Sequence, residues 1–386
     1  GHDQDHDHDE KQHESNAEPA TMSYHVQLES RMTLTGSNAD ERIRLHPAEV
    51  TFLLQHLHGQ IANLAGEDNA ADLSGEPPVS EEWISDLANR LWDHQGKSLV
   101  VCGHNDVAAQ TLTNHINELL GGYGQTLDIE HPSRQRQSDD AAVVQLTNEL
   151  IGGNVAGLIV AGVDLTYYLP QTVDSISRVK LAVSLNARTD DFSSRAKFVC
   201  PDHHPLESWL DAEPVVGLQS LCQPTIEPLG ETRSAIESFA KWAGGDQTAY
   251  ELIRARWEEA VFPQQQDEGD FTRFWDQAVH DGFVQVDTPA EEAEFKAQPP
   301  EGQPATKQDE LTVVLHPALA IPDSRHAHNP WLQELPDPIT KITWDNCLTV
   351  SPSLAREKGL ADNDVVKLTV GDAAAIELPV FIQPGQ

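Results

Sequence analysis

Cysteine is scarce in this sequence, and the few cysteines stand far apart. They are Cys102, Cys200, Cys222 and Cys347, and no two of them form a Cys-x-x-Cys pair. Proteins usually hold iron-sulfur clusters with closely spaced cysteines. We therefore expect no cluster held wholly by this chain, and we expect each cysteine to be a small buried apolar residue.

Basic residues and long apolar runs are also lacking. The 25 Lys and Arg residues face 62 Asp and Glu residues, which gives a formal net charge of -37. Such a surface repels polyanions, so we expect no nucleic-acid partner and no binding to anionic membranes. A run of about 18 apolar residues, the length that spans a bilayer as a helix, is absent, so we expect no direct membrane span.

The first 22 residues are rich in His and Asp and have no apolar period, which is typical of disorder. Imidazole next to carboxylate suits Zn, Ni or Cu, so a metal could bind His2, His6, His8 and His13. The alternative is a solvated segment without an ordered set of supporting hydrogen bonds, and this is our expectation.

Apolar strands alternate with amphipathic helices in the amino-terminal two thirds of the chain. Residues 24–30 alternate like a strand, residues 48–66 carry apolar side chains at helical spacing, and Ser80 begins a further helix. Residues 98–103, "SLVVCG", have the pattern of a short buried strand before a helix. This alternation predicts an α/β fold with parallel sheets covered by helices on both faces.

Ligands of parallel α/β sheets bind beyond the carboxyl ends of the strands. The loops after Ser30, Gly103, Gly162 and Asn186 are therefore the places where we expect function. Another candidate is the group Asp202, His203, His204 and Glu207, which could bind a metal or exchange protons. The alternative for that group is a structural or solvated role in an ordinary loop.

The carboxy-terminal part changes in character. Residues 246–310 are first helical, with Trp257, Phe262, Phe274 and Trp275 as packing residues, and then acidic and linker-like. From residue 311 onward, "LTVVLHP", "CLTVSP", "DVVKLTV" and "AIELPVFIQ" predict short strands, with a helix or turn at "SLAREKGLADND". We expect a β-rich domain there.

Several stretches in this order resemble the molybdopterin oxidoreductase superfamily of the dimethyl-sulfoxide-reductase type. They are "ESRMTLTGSNADERIRLHPAEVTFLLQHL", "VVCGHNDVAAQTLTNHINELLGGYG", "GLIVAGVDLTYYLPQ" and "NPWLQELPDPITKITWDNCLTVSPSLAREKGLADNDVVKLTV". The segment "NPWLQELPDPITKITWDN" is especially similar to the iron-sulfur, molybdopterin-like subunit of alternative complex III, a bacterial quinol-oxidising respiratory complex.

The resemblance implies a division of the chain and a fold for each part. The parts are a disordered segment (1–22), the end of a first Rossmann-like domain with a connecting helix (23–95), a second Rossmann-like domain (96–245), a helical insertion with an acidic linker (246–310), and a partial double-psi-barrel-like domain of the molybdopterin-dinucleotide-binding type (311–386). It also implies that the chain is an internal segment of a longer polypeptide.

The resemblance points to residues that could contact a dinucleotide, although catalytic residues stay unknown. Glu29, at the end of the first strand, could accept a hydrogen bond from a ribose hydroxyl, and Glu49 keeps a carboxylate in a loop where the family pairs with guanine. Both could equally be solvated surface acids. Trp331 and Trp344 would pack at a domain junction over the cofactor cleft, or alternatively fill core beneath a long loop.

Three functions are compatible with these features. The first, which we favour, is a module of alternative complex III that serves as scaffold and electron-transfer housing without its own molybdenum. Iron-sulfur clusters would then lie in parts of the protein outside this segment, and no cofactor is expected within it. The second is an active molybdopterin enzyme similar to polysulfide or thiosulfate reductases, with molybdopterin guanine dinucleotide. The third is a cofactor-free acidic interaction domain.

For the first function, the resemblance implies partners and a location. The partners would be other subunits of a membrane-bound respiratory complex, among them cytochrome c and quinol-binding subunits. The protein would lie on the periplasmic side of the bacterial inner membrane, held there by those subunits.

The dispersed acidic charge predicts a stability that depends on salt. If the protein is adapted to high salt, its melting temperature should rise with NaCl concentration, because added ions screen the repulsion between carboxylates. Thermal unfolding followed by circular dichroism from about 0.1 to 3 M NaCl measures this. A flat or falling curve would indicate an ordinary acidic protein.

Overall fold

The structure is a computed structural model, and it describes residues 22–67, 75–287 and 311–386. Its strands are short. They are β1 (Val26–Glu29), β2 (Glu41–Arg44), β3 (Gly157–Val160), β4 (Leu181–Ser184), β5 (Phe198–Val199), β6 (Leu210–Val215), β7 (Leu218–Cys222), β8 (Phe283–Gln285), β9 (Leu348–Val350), β10 (Val365–Leu368) and β11 (Ile376–Ile382).

Helices lie between these strands. They are α1 (Leu34–Ser37), α2 (Val50–Ala65), α3 (Glu81–Asp93), α4 (Val107–Leu119), α5 (Asp140–Ile151), α6 (Leu165–Tyr168), α7 (Val173–Ile176), α8 (Ala235–Trp242), α9 (Ala249–Arg256), α10 (Phe271–Asp281), α11 (Pro330–Gln333) and α12 (Pro352–Lys358). A π-helical turn, Trp257–Val261, follows α9 directly.

The chain divides into two compact units. The first combines residues up to Pro47 with Pro338–Gln386. In it β1 and β2 pair in parallel, and β11 pairs antiparallel with β10 and parallel with β9. Val350, Ala355 and Val380 form a small buried cluster in this unit.

The second unit, Ala48–Asp337, contains the parallel sheet that the alternation of strands and helices predicts. Its strand order is β3-β4-β5, and each neighbouring pair is parallel. Leu158 and Val160 point into a cluster with Leu150 of α5, Ile176 and Phe192. Gly157 and Ile159 on the other face are exposed, so the expectation that both faces of the sheet are covered is wrong for β3.

A second core in this unit is aromatic and surrounds the π-helical turn. Trp257, Phe274 and Trp275 are buried together with Ile253 and Val261. The indole N–H of Trp257 donates to Asp211 Oδ2 at 3.1 Å, so the buried ring keeps a partner for its polar atom. This packing confirms the predicted role of the tryptophans and phenylalanines in the helical insertion.

The expected strand at residues 98–103 is absent. The segment forms no strand, and Val101 is 77% exposed. The side chain of Asn117 on α4 accepts a hydrogen bond from the amide of Val100 at 2.9 Å and donates one to its carbonyl at 2.8 Å. A side chain therefore satisfies the backbone amide and carbonyl of Val100, which a neighbouring strand could otherwise have satisfied.

Two further expectations fail. The segment "LTVVLHP" forms no strand, and Leu311 and Leu315 are exposed. Of the four cysteines, Cys222 is exposed and the other three are half-buried. The remaining predicted carboxy-terminal strands and helix correspond to β9, β10, β11 and α12, and these are confirmed.

The fold class is therefore mixed α/β, with small parallel and antiparallel sheets. The sheet β10-β11-β9 does not itself establish the double-psi barrel, which stays a prediction. The division of the sequence into five parts also stays a prediction. The four histidines of the amino-terminal segment, with the metal site that they could form, lie outside the described residues.

Helices α2, α3 and α4 pack together in the second unit, with Leu57, Ile61, Ile84 and Ile116 buried among them. A pair of imidazoles lies between α2 and α4. His58, which is 6% exposed, has its Nε2 atom 2.6 Å from Nδ1 of His115. Burial first, and the facing His115 second, lower the pKa of His58 to about 4.

The depressed pKa of His58 predicts acid sensitivity. In the unfolded chain a histidine has a pKa of about 6.5, so between about pH 6.5 and pH 4 unfolding takes up a proton that the native state does not hold. The free energy of unfolding should therefore fall as pH falls through this window, by about 1.4 kcal/mol per unit and about 3 kcal/mol in all.

Urea unfolding of the wild type and of His58→Gln from about pH 7.5 to about pH 4 measures this contribution. The variant should lose this part of the pH dependence, whereas Gln60→Asn on the same helix should shift the stability equally at every pH. Identical pH slopes for the wild type and His58→Gln would contradict the assignment.

Candidate functional site

Polar side chains converge at the carboxyl edge of the β3-β4-β5 sheet. The segment after β3 leads to Asp164, and the segment after β4 contains Asn186 and Asp190. Because parallel strands end at the same edge, these two segments lie side by side. We call the group of Asp164, Thr166, Asn186, Asp190 and Ser193 the edge cluster.

Asp164 caps α6 and joins the two segments. Its Oδ1 atom accepts hydrogen bonds from the backbone amide of Thr166 at 3.1 Å and from the Thr166 hydroxyl at 2.6 Å. The same oxygen accepts from the amide of Phe192 at 3.3 Å. An aspartate just before a short apolar helix is a usual N-cap, so this local structure follows from the sequence "VDLTYY".

Asn186 and Asp190 hold the second segment in place. The amide nitrogen of the Asn186 side chain donates to the carbonyl of Val163 at 2.7 Å and to Asp190 Oδ2 at 2.6 Å. Asp190 Oδ1 accepts from the amide of Ser193 at 2.7 Å and from its hydroxyl at 2.6 Å. A hydroxyl has one hydrogen to donate, so Ser184 Oγ, 2.8 Å away, is the donor to Ser193 Oγ.

One buried atom of this network and one on a neighbouring segment have no hydrogen-bond partner in the described part of the chain. They are Oδ1 of Asn186, a residue that is 7% exposed, and Nε2 of His203. The backbone joins their neighbours, because the amide of Asp202 donates to the carbonyl of Leu185 at 3.0 Å. An unsatisfied buried polar atom costs about 1–3 kcal/mol, so these two atoms are places where a water or ligand could bind.

The group "PDHHPLE" has a structural role. Asp202 Oδ1 accepts from the amide of Ala235 at 2.7 Å, at the start of α8. His204 and Glu207 form a capping box around a 3-10 turn, and Glu207 also accepts from the amide of Leu229 at 3.0 Å. These bonds from His204 and Leu229 hold the pKa of Glu207 below its usual value. The structural alternative for this group is therefore the one that the geometry favours.

In the first unit, Glu29 lies at the end of β1, as expected, but its carboxylate is already bound. The amide and the hydroxyl of Thr33 donate to it at 3.0 and 2.6 Å, and Arg42 Nε donates at 2.5 Å. Arg42 also donates to the carbonyl of Gly385 at 2.7 Å. Gly36 packs so closely against the carboxylate that a Cβ atom there would lie 2.0 Å from Glu29 Oε1.

Burial raises the pKa of Glu29, but the hydrogen bonds from Thr33 and Arg42 outweigh it and hold the pKa below its usual value. The carboxylate is thus charged and shielded, with its side chain 8% exposed. Contact between Glu29 and a ribose stays a prediction, and such a contact would have to compete with Thr33 and Arg42.

The other candidates are differently placed. Glu49 is half-buried just before α2. Trp331, in the first turn of α11, is 83% exposed. Trp344 is 61% exposed, and its backbone φ is 69°, a value that residues other than glycine rarely adopt. Core filling is therefore wrong for both tryptophans, whereas their role at a domain junction and the cofactor contact of Glu49 stay predictions.

The loops after Gly162 and Asn186, where the sequence predicts function, lie at the carboxyl edge of this sheet, and that function stays a prediction. Sequence reasoning missed Asp164, Asp190 and Ser193 as partners. Their spacing in sequence carries little signal, because the cluster depends on which segments meet. A signal did exist locally, since Asp164 precedes an apolar turn and Asp190 stands three residues before Ser193.

Among residues 22–67, 75–287 and 311–386, His, Cys, Asp and Glu side chains are nowhere grouped in threes suited to a metal ion. Within the same ranges, every helix is too short or too polar to cross a bilayer.

Comparisons with known proteins give information about the fold only. No protein-family model matches the chain, and no curated protein matches it. Among solved structures, acetylene hydratase from Pelobacter acetylenicus is similar, with a TM-score of 0.58 and 12% sequence identity. The match covers 94% of this chain and 65% of that protein.

The likeness establishes the fold alone. It gives no support to a particular subunit. The chain spans about 65% of the length of the protein that it matches.

The shielded Glu29 carboxylate predicts a large loss of stability in Glu29→Gln. The change leaves the Arg42 guanidinium, which is 16% exposed, without its counter-charge, so the free energy of unfolding should fall by about 2–4 kcal/mol. Urea unfolding at about pH 7.5 measures the change, with Asp86→Asn on the exposed face of α3 as a control that should stay within about 0.5 kcal/mol. Equal stabilities of the two variants would show that the Glu29–Arg42 contact is energetically neutral.

Proposed function

We propose that this chain is a molybdopterin-oxidoreductase-like module of a respiratory quinol-oxidising complex of the alternative complex III type. In this proposal it serves as scaffold and electron-transfer housing and binds no molybdenum of its own. The structural likeness to acetylene hydratase supports the general fold. The segment "NPWLQELPDPITKITWDN" supports the choice of complex.

We propose that no pterin binds here because carboxylates that could contact it already have hydrogen-bond partners within the protein. Glu29 is bound by Thr33 and Arg42, and the charged groups of the edge cluster are bound by other residues of that cluster. A dinucleotide needs side chains and amides that face it with unused donors and acceptors. These residues therefore fit a dinucleotide poorly, and the favoured role is structural.

A second candidate function, an active molybdopterin enzyme, draws support from one observation. The unpartnered Oδ1 of Asn186 and Nε2 of His203 could take hydrogen bonds from a bound polar group at the carboxyl edge of the sheet. When bound, molybdopterin would supply redox chemistry at the metal, and the protein would supply orientation. Two atoms are a small contact set for a ligand of that size.

The proposal extends to location and partners. The chain would lie on the periplasmic side of the inner membrane and would contact cytochrome c and quinol-binding subunits. The iron-sulfur clusters that carry electrons would lie outside this segment.

Elemental analysis of the intact native protein tests the proposal. We expect iron without molybdenum or tungsten, and we expect no fluorescence from oxidised pterin after acid and iodine treatment. Molybdenum or tungsten together with pterin, each near one per protein, would overturn the proposal in favour of an active enzyme. Asn186→Ala would then be the first variant to test for loss of pterin.

A further inference from the structure

Helix α8 exposes large apolar side chains that would usually pack on a core, and it buries a serine. Ser234, its N-cap, and Ser238 are both 3% exposed. Ile236, Phe239 and Trp242, which follow one another at intervals of three residues, are exposed, the last two at 47% each. At about 100° per residue these three side chains form one stripe roughly 120° wide.

The loop that precedes α8 in the sequence also exposes apolar side chains. Ile226 is exposed, and Leu229 is 87% exposed. We call Ile226, Leu229, Ile236, Phe239 and Trp242 the 226–242 surface. Large apolar side chains scattered singly on a surface are ordinary, but five exposed ones within 17 residues of a chain, in a segment that buries two serines, are not.

Hydrogen bonds fix the surface in place. The amides of Thr225 and Ile226 donate to the carbonyl of Leu206, at 2.8 and 3.1 Å, and the amide of Leu229 donates to Glu207. The start of α8 is bound to Asp202, and Glu237 accepts from the amide of Ala249 at 2.9 Å. The apolar side chains therefore stand on a held backbone, which lowers the entropic cost of docking.

The rings of Phe239 and Trp242 lie 5.5 Å apart in an edge-to-face arrangement at 80°. Aromatic residues are enriched in protein interfaces, where tryptophan often contributes a large share of the binding energy. The composition of the surface is thus that of a protein interface.

The charged residues around the 226–242 surface indicate which kind of partner could cover it. Glu227 and Glu231 border the surface and have neither a hydrogen bond nor an ion pair with the described residues. Lys241, by contrast, is already paired with Asp246, which leaves Arg233 as the unpaired cation of this stretch in the described part of the chain. A second copy would bring the same acidic rim on a chain with a formal charge of -37, so like charges would oppose self-association.

We propose that the 226–242 surface docks another protein, through an apolar patch on that partner that is flanked by lysine or arginine residues. Apolar contacts at Leu229, Phe239 and Trp242 supply the affinity, and Glu227 and Glu231 select a basic rim. This docking depends on exposed apolar side chains and on charge, and it does not depend on whether a pterin is bound.

Site-specific photo-crosslinking of the full chain in its own cells tests the proposal. Phe239 is replaced by p-benzoylphenylalanine, and the exposed Gln125 is replaced in the same way as a control position. After irradiation, mass spectrometry identifies the crosslinked peptide. We expect one protein partner at position 239, with Lys or Arg next to apolar residues at the crosslink, and a yield at least fivefold above that at position 125.

Two sets of variants separate apolar contact from charge selection. In the crosslinking chain, Leu229→Asp should lower the yield at least fivefold, and so should the double change Glu227→Lys with Glu231→Lys. The control is Asp86→Lys with Asp93→Lys, which changes the net charge equally on α3 and should leave the yield unchanged. A circular dichroism melt confirms that each variant is folded.

Other outcomes would overturn the proposal. They are a crosslink to a second copy of this chain, a crosslink to lipid, a partner peptide rich in Asp and Glu, and a yield no higher than at position 125. An equal loss of yield in both double-charge variants would likewise show that Glu227 and Glu231 do not select the partner.

Discussion

The excess of carboxylates over cations is the constraint on which most of this structure depends. With 62 acidic and 25 basic residues, most carboxylates cannot have a cation as partner. Several of them accept instead from backbone amides and hydroxyls. Asp106, Asp139 and Asp270 cap helices, and Asp164 joins two segments through the amides of Thr166 and Phe192. Carboxylates thus act as acceptors for otherwise unpaired backbone donors at the ends of helices.

Glu29 shows what happens where a cation is available. Arg42 binds Glu29 and the carbonyl of Gly385, and Arg44 donates to the carbonyl of Gln386 at 3.1 Å. Two of the few arginines therefore connect the parallel pair β1-β2 with the end of the carboxy-terminal segment. In the first unit, segments that are distant in sequence are held together by these contacts and by Gln383, which donates to the carbonyl of Met32 at 3.0 Å.

Local sequence predicted the helices well and the strands less well, for a physical reason. Helices α2 to α5 and α12 depend on apolar spacing and caps, such as Ser80 for α3 and Ser351 for α12, and these signals lie within a few residues. A strand needs a partner strand from elsewhere in the chain. In "SLVVCG" the backbone of Val100 is hydrogen-bonded to the side chain of Asn117 and not to another strand. The edge cluster was only half foreseen, because Asp164, Asn186 and Asp190 meet through the sheet. The exposure of Trp331 and Trp344 could not be foreseen either, since hydrophobic character alone predicts burial.

The fold and the polar contacts carry different information about function. The likeness to acetylene hydratase at 12% identity concerns the path of the backbone, whereas chemistry depends on side chains. The edge cluster lies at the edge of the sheet where α/β folds bind ligands. In this chain its side chains form hydrogen bonds mainly with each other. This mutual pairing has a physical reason, because unused polar groups at a buried edge are costly unless they find partners.

The contact between His58 and His115 also correlates the tautomers of the two rings. If Nε2 of His58 carries the hydrogen, Nδ1 of His115 must be bare, and the hydrogen of His115 then lies on its own Nε2. If instead Nδ1 of His115 donates, Nε2 of His58 is bare, and its hydrogen lies on Nδ1. Two neutral rings in this contact therefore always share one tautomer, either both Nε2–H or both Nδ1–H. A change of tautomer in His58 on helix α2 must be matched by the same change in His115 on helix α4. The hydrogen bond between the two rings then reverses its direction.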